Sequence, residues 1–251
     1  MDKGEKMNKF RHLCVLMLLV STSVYSGGDN TGAENSISSN HFAGNYAGIN
    51  IGHADSNSYS KDVNHNDHNH HYSSTGLDSY NITIGKNWIV SNSLLIGAEA
   101  ALGYMDLKAS KGGPCSTGGC TAPEEDGKSS LRGGAHLDFA LRAGLVRDDY
   151  MTYVKFGVVK TDITHSYTDT QAQGQLILSG TESSSLTGVV YGGGIERMIN
   201  TTTNFSLSFS KYDFDMASGA ATTPITPANG HALHHHETSI KIISIGLITK
   251  F

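Results

Sequence analysis

Between Leu137 and Leu145 every second residue is apolar (Leu137, Phe139, Leu141, Ala143, Leu145), and the opposite face carries His136, Asp138 and Arg142. A period of two marks a strand with two unlike faces. The segment Leu94–Tyr104 repeats the pattern, with Leu94, Ile96, Ala98, Ala100, Leu102 and Tyr104 on one side and Glu99 among glycines on the other. A soluble barrel would bury the apolar face and leave the charges in water. Here the charges sit mid-strand, at membrane depth if these strands cross a bilayer. A lipid-facing Arg there costs about 2–4 kcal/mol, so the charges must face the lumen and the apolar residues the lipid.

The same alternation recurs in segments bounded by Gly, Asn, Asp and Ser, and no helical period appears beyond residue 40. It predicts strands at Phe42–Asp55, Leu77–Val90, Ser93–Leu107, Gly134–Val146, Tyr150–Ile163, Ser185–Asn200, Thr203–Phe214 and Thr238–Phe251. Their connections alternate in length. Tight turns are expected at Ser91-Asn92, at Arg147-Asp148-Asp149 and at Thr201-Thr202, and long loops at 56–76, 108–133, 164–184 and 215–237. An even strand number with short turns at one end and long loops at the other predicts an all-β fold. The expected architecture is an eight-stranded antiparallel up-and-down transmembrane β-barrel with four long extracellular loops.

Both ends agree with export. Lys9 and Arg11 precede the apolar run LCVLMLLVSTSVYS, too short to span a bilayer as a helix and followed by small residues, which predicts a secretory signal over residues 1–26. Translation from Met7 would leave that signal intact. Residues 27–40, rich in Ser, Asn and Gly, are expected to form a flexible periplasmic tail, and 41–251 the barrel. The chain carries a net charge of −5 with histidines neutral, and the leader holds more bases than acids, so nothing favours nucleic acid as a partner. Cys115 and Cys120, in GGPCSTGGCTAP, read as a small disulfide-closed loop; a CxxxxC metal site is the rival, with no His nearby.

Counted up from the short turns, Glu99, Arg142, Lys155 and Glu196 fall at roughly one level on consecutive strands, with Asp138 above Arg142 on the same face. An eight-stranded barrel is narrow enough for side chains to fill it. Two acids and two bases at one level therefore predict a plugged lumen, their bland role being structural. Trp88, the lone tryptophan, falls at a turn end, where an interface aromatic belongs.

The strand sequences resemble a known family. FAGNYAGINIG (Phe42–Gly52) is similar to the first strand of the small opacity-type porins, the eight-stranded barrels related to the OmpA transmembrane domain. LLIGAEAALGYMD, LRAGLVRDDYMTYVKFGVV, VVYGGGIERMINTTTNFSLSFSKYDF and the closing GLITKF extend the likeness over most of the strands. Phe42 stands where a tryptophan is common nearby, and GLITKF lacks the usual tyrosine. The resemblance implies an integral outer-membrane protein of a Gram-negative bacterium. Members are variously adhesins, surface antigens, hemin binders or structural barrels, and the strand motifs do not choose among these.

The loops are where a choice is written. HNDHNHHY (His65–Tyr72) and HALHHHE (His231–Glu237) hold eight of the 13 histidines. In an up-and-down barrel the last strand closes on the first, so these two loops are neighbours on the outer side. Candidate metal ligands are His65, His68, His70 and His71 from one, and His231, His234, His235 and His236 from the other, with His53 beneath and Asp62, Asp67 and Glu237 as oxygen donors. Neutral imidazoles suit zinc, copper, nickel or iron, and an exposed His can be an axial ligand of heme. Clustered histidines also gain charge as pH falls through about 6, which would alter adhesion. The leading expectation is a surface barrel binding divalent metal such as zinc, or hemin, or host molecules, with no cofactor required for the fold. The alternatives are a structural protein or adhesin with no metal role and, remotely, a narrow porin or an outer-membrane enzyme. No nucleophile motif appears, so an enzyme is not expected.

Overall fold

The computed structural model describes residues 40–62, 69–113, 127–170, 176–220 and 233–251. The leader, all but the last residue of the 27–40 tail, and the Cys115/Cys120 pair lie outside these. Ten strands follow in chain order: β1 Gly44–Asp62, β2 Asn69–Ile89, β3 Leu94–Met105, β4 Lys108–Gly113, β5 Gly127–Arg132, β6 Ala135–Arg147, β7 Tyr150–Thr170, β8 Leu176–Met198, β9 Thr203–Ala220 and β10 Leu233–Lys250. Every pairing is antiparallel. β3 and β4 form one stave broken at Asp106-Leu107, and β5 and β6 another broken at Gly133-Gly134, so the wall has eight staves.

The wall closes where β1 meets β10 (Ile49 opposite Leu247, Asn50 opposite Gly246) and runs round through β2, β3, β6, β7, β8 and β9. Closure is what makes a strand wall tolerable in hydrocarbon, because no backbone edge is left without a partner there.

The faces fall as the alternation requires. Along β6 exposed and buried residues alternate without a break, with Leu141 71% exposed and Arg142 5% exposed. Ile49, Ile51, Ile82, Ile84, Phe139, Val158, Phe209, Ile243 and Ile245 are likewise exposed and form an outward apolar band. In water such a surface would be a liability; against acyl chains it is solvated. Trp88 is exposed near the short-turn end of β2, with Lys86 Nζ 5.8 Å from its ring centroid.

The short turns have local causes. Asp148 takes the left-handed conformation (φ 53°), which Asp tolerates better than most residues, and Arg197 donates to Asp149 at 2.9 Å beside it. That guanidinium holds the Asp149 carboxyl below its usual range. Asn200 Oδ1 accepts from the backbone N–H of Thr202 and of Thr203, each at 2.9 Å, and so closes the β8–β9 turn.

Two features depart from the sequence reading. The strands run well into the segments expected to be loops: β1 to Asp62, β7 to Thr170 and β8 from Leu176. β4 and β5 are the arms of a hairpin within the expected 108–133 loop. Ladder pairing uses backbone groups alone, so a polar Ser/Asn/Thr stretch can continue a strand without any apolar alternation to announce it. Phe42 is also not in the first strand. It lies in a helical segment at residues 40–42, buried in the short-turn mouth against Leu95, Val146, Met151 and Tyr153.

The interior is layered. That apolar cluster closes the short-turn end, and a second one closes the long-loop end, among it Met105, Leu107, Leu131, Ile163, Leu186 and Ile240. Charged and hydroxyl side chains fill the space between.

Candidate functional site

In the middle layer Arg142 is the hub. Its Nη2 donates to Glu196 Oε1 at 2.6 Å, and its Nη1 lies 3.4 Å from Glu99 Oε2 and donates to the Tyr46 hydroxyl at 3.0 Å. Lys155 Nζ donates to Glu99 Oε1 at 2.9 Å, and Tyr46 donates to Glu99 Oε2 at 3.1 Å. The guanidinium lies between two rings, 4.0 Å from the Tyr153 centroid and 5.3 Å from that of Tyr46. Arg142 and Lys155 are directly opposed in register, a like-charge pair that costs unless countered. Glu99 touches both and Glu196 touches Arg142. Asp138 sits apart from that ring of charges and accepts from the Tyr212 hydroxyl at 3.1 Å.

Glycines make room for this cluster. A Cβ on Gly85 would run into the Tyr46 ring, and one on Gly97 would lie 2.9 Å from Arg142 Cγ. The space remaining among Asn50, Asn81, Glu99, Asp138, Lys155 and Ser210 is about 30 Å³. That admits only a water molecule or two. Paired charges and bulky rings fill most of this layer, and apolar layers lie above and below it.

The helical segment at residues 40–42 is tied to this cluster. Asn87 Nδ2 donates to the Phe42 carbonyl at 2.8 Å and Lys250 Nζ to the Asn40 carbonyl at 2.6 Å. His41 Nε2 lies 2.6 Å from Asn204 Oδ1, and Asn204 Nδ2 reaches Glu196 Oε2 at 3.4 Å.

The structure therefore brings Glu99, Arg142, Lys155 and Glu196 into one network and gives Asp138 a separate tyrosine partner. Sequence reasoning places His136 on the inward face with Asp138 and Arg142 but misses Tyr46, Tyr153 and Tyr212 as members of this layer. All four are buried at inward positions; parity with Lys155 on the same strand puts Tyr153 inward, while β1 and β9 carry no buried charge from which Tyr46 and Tyr212 could be counted.

At the outer end, backbone register answers whether the histidine clusters meet. Ser60 of β1 is opposite His70 of β2 on one side and His236 of β10 on the other. One step down, Tyr59 is flanked by His71 and Glu237; one step up, Lys61 is flanked by Asn69 and His235. Asp62 is opposite His234. With neighbouring strands about 4.8 Å apart, the His70 and His236 backbones are about 10 Å from each other. His65, His68 and His231 lie outside the described residues. His53 is exposed on the outward face with Nε2 3.5 Å from Asp55 Oδ1.

The family model described as outer membrane protein beta-barrel domain matches residues 13–236. Among solved structures the chain is similar to Ail, the attachment invasion locus protein of Yersinia pestis (12% identity, 82% of this chain and 99% of that one, TM-score 0.38). It is also similar to OprG of Pseudomonas aeruginosa (12%, 83% and 97%, 0.44) and to the outer membrane protease OmpT of Escherichia coli (10%, 83% and 97%, 0.42). At these scores the likenesses carry no argument of their own. No curated protein matches the chain. The family match spans most of the sequence and agrees with the closed, lipid-facing wall: the chain belongs to the outer membrane protein β-barrel domain family and is an outer-membrane protein.

Proposed function

We propose that this barrel captures a transition-metal centre, zinc or the iron of hemin, at its outer rim through the two histidine clusters. The observation that supports this reading is the register: His70 and His236 flank Ser60, and His71 and Glu237 flank Tyr59. Two segments far apart in sequence thus place a pair of donors on each of two adjacent rungs, His70 with His236 on one face of the wall and His71 with Glu237 on the other. A spacing of about 10 Å between the outer strands is one that two imidazoles can bridge around a single ion. Zinc takes three or four such ligands at about 2.0–2.1 Å, and heme iron needs one or two axial ones. The role is binding, not catalysis, and the plugged lumen makes it capture at the surface, not passage through the wall.

The test is calorimetric titration of zinc, beside hemin titration followed in the Soret band, on the barrel refolded in detergent at about pH 7.5. Two variants are compared with the wild type: H65A/H68A/H70A/H71A, and H231A/H234A/H235A/H236A. Micromolar binding lost in both variants is the expected result. Binding unchanged in either variant would show that the clusters do not act together.

A second reading, contact with host molecules without metal, has its own support. β7 continues from Lys160 to Thr170 beyond the last outward apolar residue, Val158, and so stands about 30 Å of strand above the lipid. Adhesion to host cells that survives chelation and both histidine variants would favour it.

A further inference from the structure

The outer wall carries a feature that neither the histidine rungs nor the lumen explains. Tyr191 of β8, Lys211 of β9 and Lys241 of β10 stand side by side on one row, Tyr191 opposite Lys211 and Lys211 opposite Lys241. All three occupy outward positions. Phe209 lies directly below Lys211 on its strand and Ile243 directly below Lys241, both exposed in the apolar band. On β9 and β10 the row therefore sits at the upper boundary of the apolar band, at headgroup height on the long-loop side, while on β8 the band runs one outward residue higher, to Val189.

Two lysines directly opposed on one face repel each other, so some other interaction must offset that cost. Lys211 has part of it. Its Nζ donates to Asp213 Oδ2 and to the Tyr191 hydroxyl, each at 2.9 Å, and Tyr191 donates to the same carboxylate oxygen at 2.9 Å. These bonds fix Lys211 in place but leave its outer side open. Lys241 is exposed and has no hydrogen bond or ion pair among the described residues. Asp55, opposite it on β1, lies instead beside His53.

We infer that Lys211 and Lys241 bind the phosphate of an outer-leaflet lipid, whose acyl chains lie on the apolar strip beneath. An ammonium is a compact phosphate ligand, and a lysine at a membrane surface is drawn to anionic headgroups. The strip is continuous with the site: Phe205, Leu207 and Phe209 on β9 and Ile243, Ile245 and Leu247 on β10 are all exposed. Headgroup and chains thus find their counterparts in the order in which a phosphorylated amphiphile presents them. The arc over β1–β3 differs. There the outward positions are Asp55, Asp78 and Asp106, with Tyr80 and Tyr104 stacked at 5.7 Å. This assignment does not depend on the histidine clusters.

The test is native mass spectrometry of the full barrel released from detergent, with bisphosphorylated lipid A, its dephosphorylated form and inorganic phosphate as probes. The expected result is retention of the phosphorylated lipid at least about tenfold over the dephosphorylated one, with inorganic phosphate failing to displace it. K211S/K241S should lose that preference and K211R/K241R should keep it. K160S is the control, because Lys160 also faces out just above the band but has Leu137 and Thr187 opposite. Heat-modifiable gel mobility checks that each variant is folded. The inference is overturned if the wild type has no phosphate preference or if K211S/K241S keeps it. Displacement by inorganic phosphate at equal concentration would also overturn it, showing a free-anion site instead.

Discussion

Arg142 Nη2 and Glu196 Oε1 are 2.6 Å apart, with both side chains about 3% exposed, and the same guanidinium reaches Glu99 on the other side. A buried pair of this kind contributes little net stability against an apolar equivalent, but losing one partner leaves a bare charge. R142A leaves Glu196 with no cation and Glu99 with Lys155 as its one cation among the described residues. It should cost about 3–5 kcal/mol. R142M/E196Q removes that pair together, leaves Glu99 with Lys155, and should cost less than R142A alone. Urea unfolding in lipid vesicles, followed by Trp88 fluorescence, checks both; equal losses would mean that the charges contribute only as bulk.

The two apolar layers bear on conduction. Phe42 closes the short-turn mouth, so F42A should cost about 3 kcal/mol through the cavity it leaves. It should not open a pore, because the Arg142 network and the outer layer around Leu131 and Ile240 remain. Planar-bilayer recordings should show no large, steady openings for the wild type or for F42A. Such openings in the wild type would contradict a filled lumen.

Some of this arrangement is legible in the amino-acid sequence and some is hidden there. Which way each strand faces can be read because Asp138 and Arg142 interrupt an otherwise apolar β6, and a charge in lipid is costly enough to decide. The level of Glu99, Arg142, Lys155 and Glu196 can be read by counting from turns marked with Asn and Asp. Tyr46 and Tyr212 cannot be singled out, because tyrosine suits the lumen and the membrane interface equally well. The upper strands cannot be bounded, since segments such as Asn57–Asp62 pair through backbone alone and carry no alternation. Phe42 is misplaced because an apolar residue next to a strand looks like its first residue. The nearness of the histidine clusters follows from topology, but the particular rungs, His70 with His236 and His71 with Glu237, require the register.

Packing around the hub gives a third prediction. Gly85 is directly under the Tyr46 ring, so G85A forces the ring or the wall to move. Overpacking of this sort costs about 1–3 kcal/mol. If the cost comes from that contact, G85A/Y46A should be less destabilised than the sum of G85A and Y46A, measured by the same unfolding assay. Strict additivity would mean that the two residues do not couple.

Acid should weaken the outer part of the barrel. His165 of β7 lies five residues above Lys160, beyond the apolar band, and is 2% exposed. Burial pushes its pKa down to about 4, whereas an unfolded chain would titrate near 6.5. Between those values the unfolded state binds the extra proton, so stability rises with pH across the window. The contribution is complete above about pH 6.5 and is lost as pH falls toward 4, amounting to about 2 kcal/mol between pH 7 and pH 5. H165L cannot take up that proton. Its unfolding free energy should therefore fall less between pH 7 and pH 5 than that of the wild type, even though the variant starts lower at pH 7. Identical pH slopes for the two proteins would show that His165 takes up its proton as readily folded as unfolded.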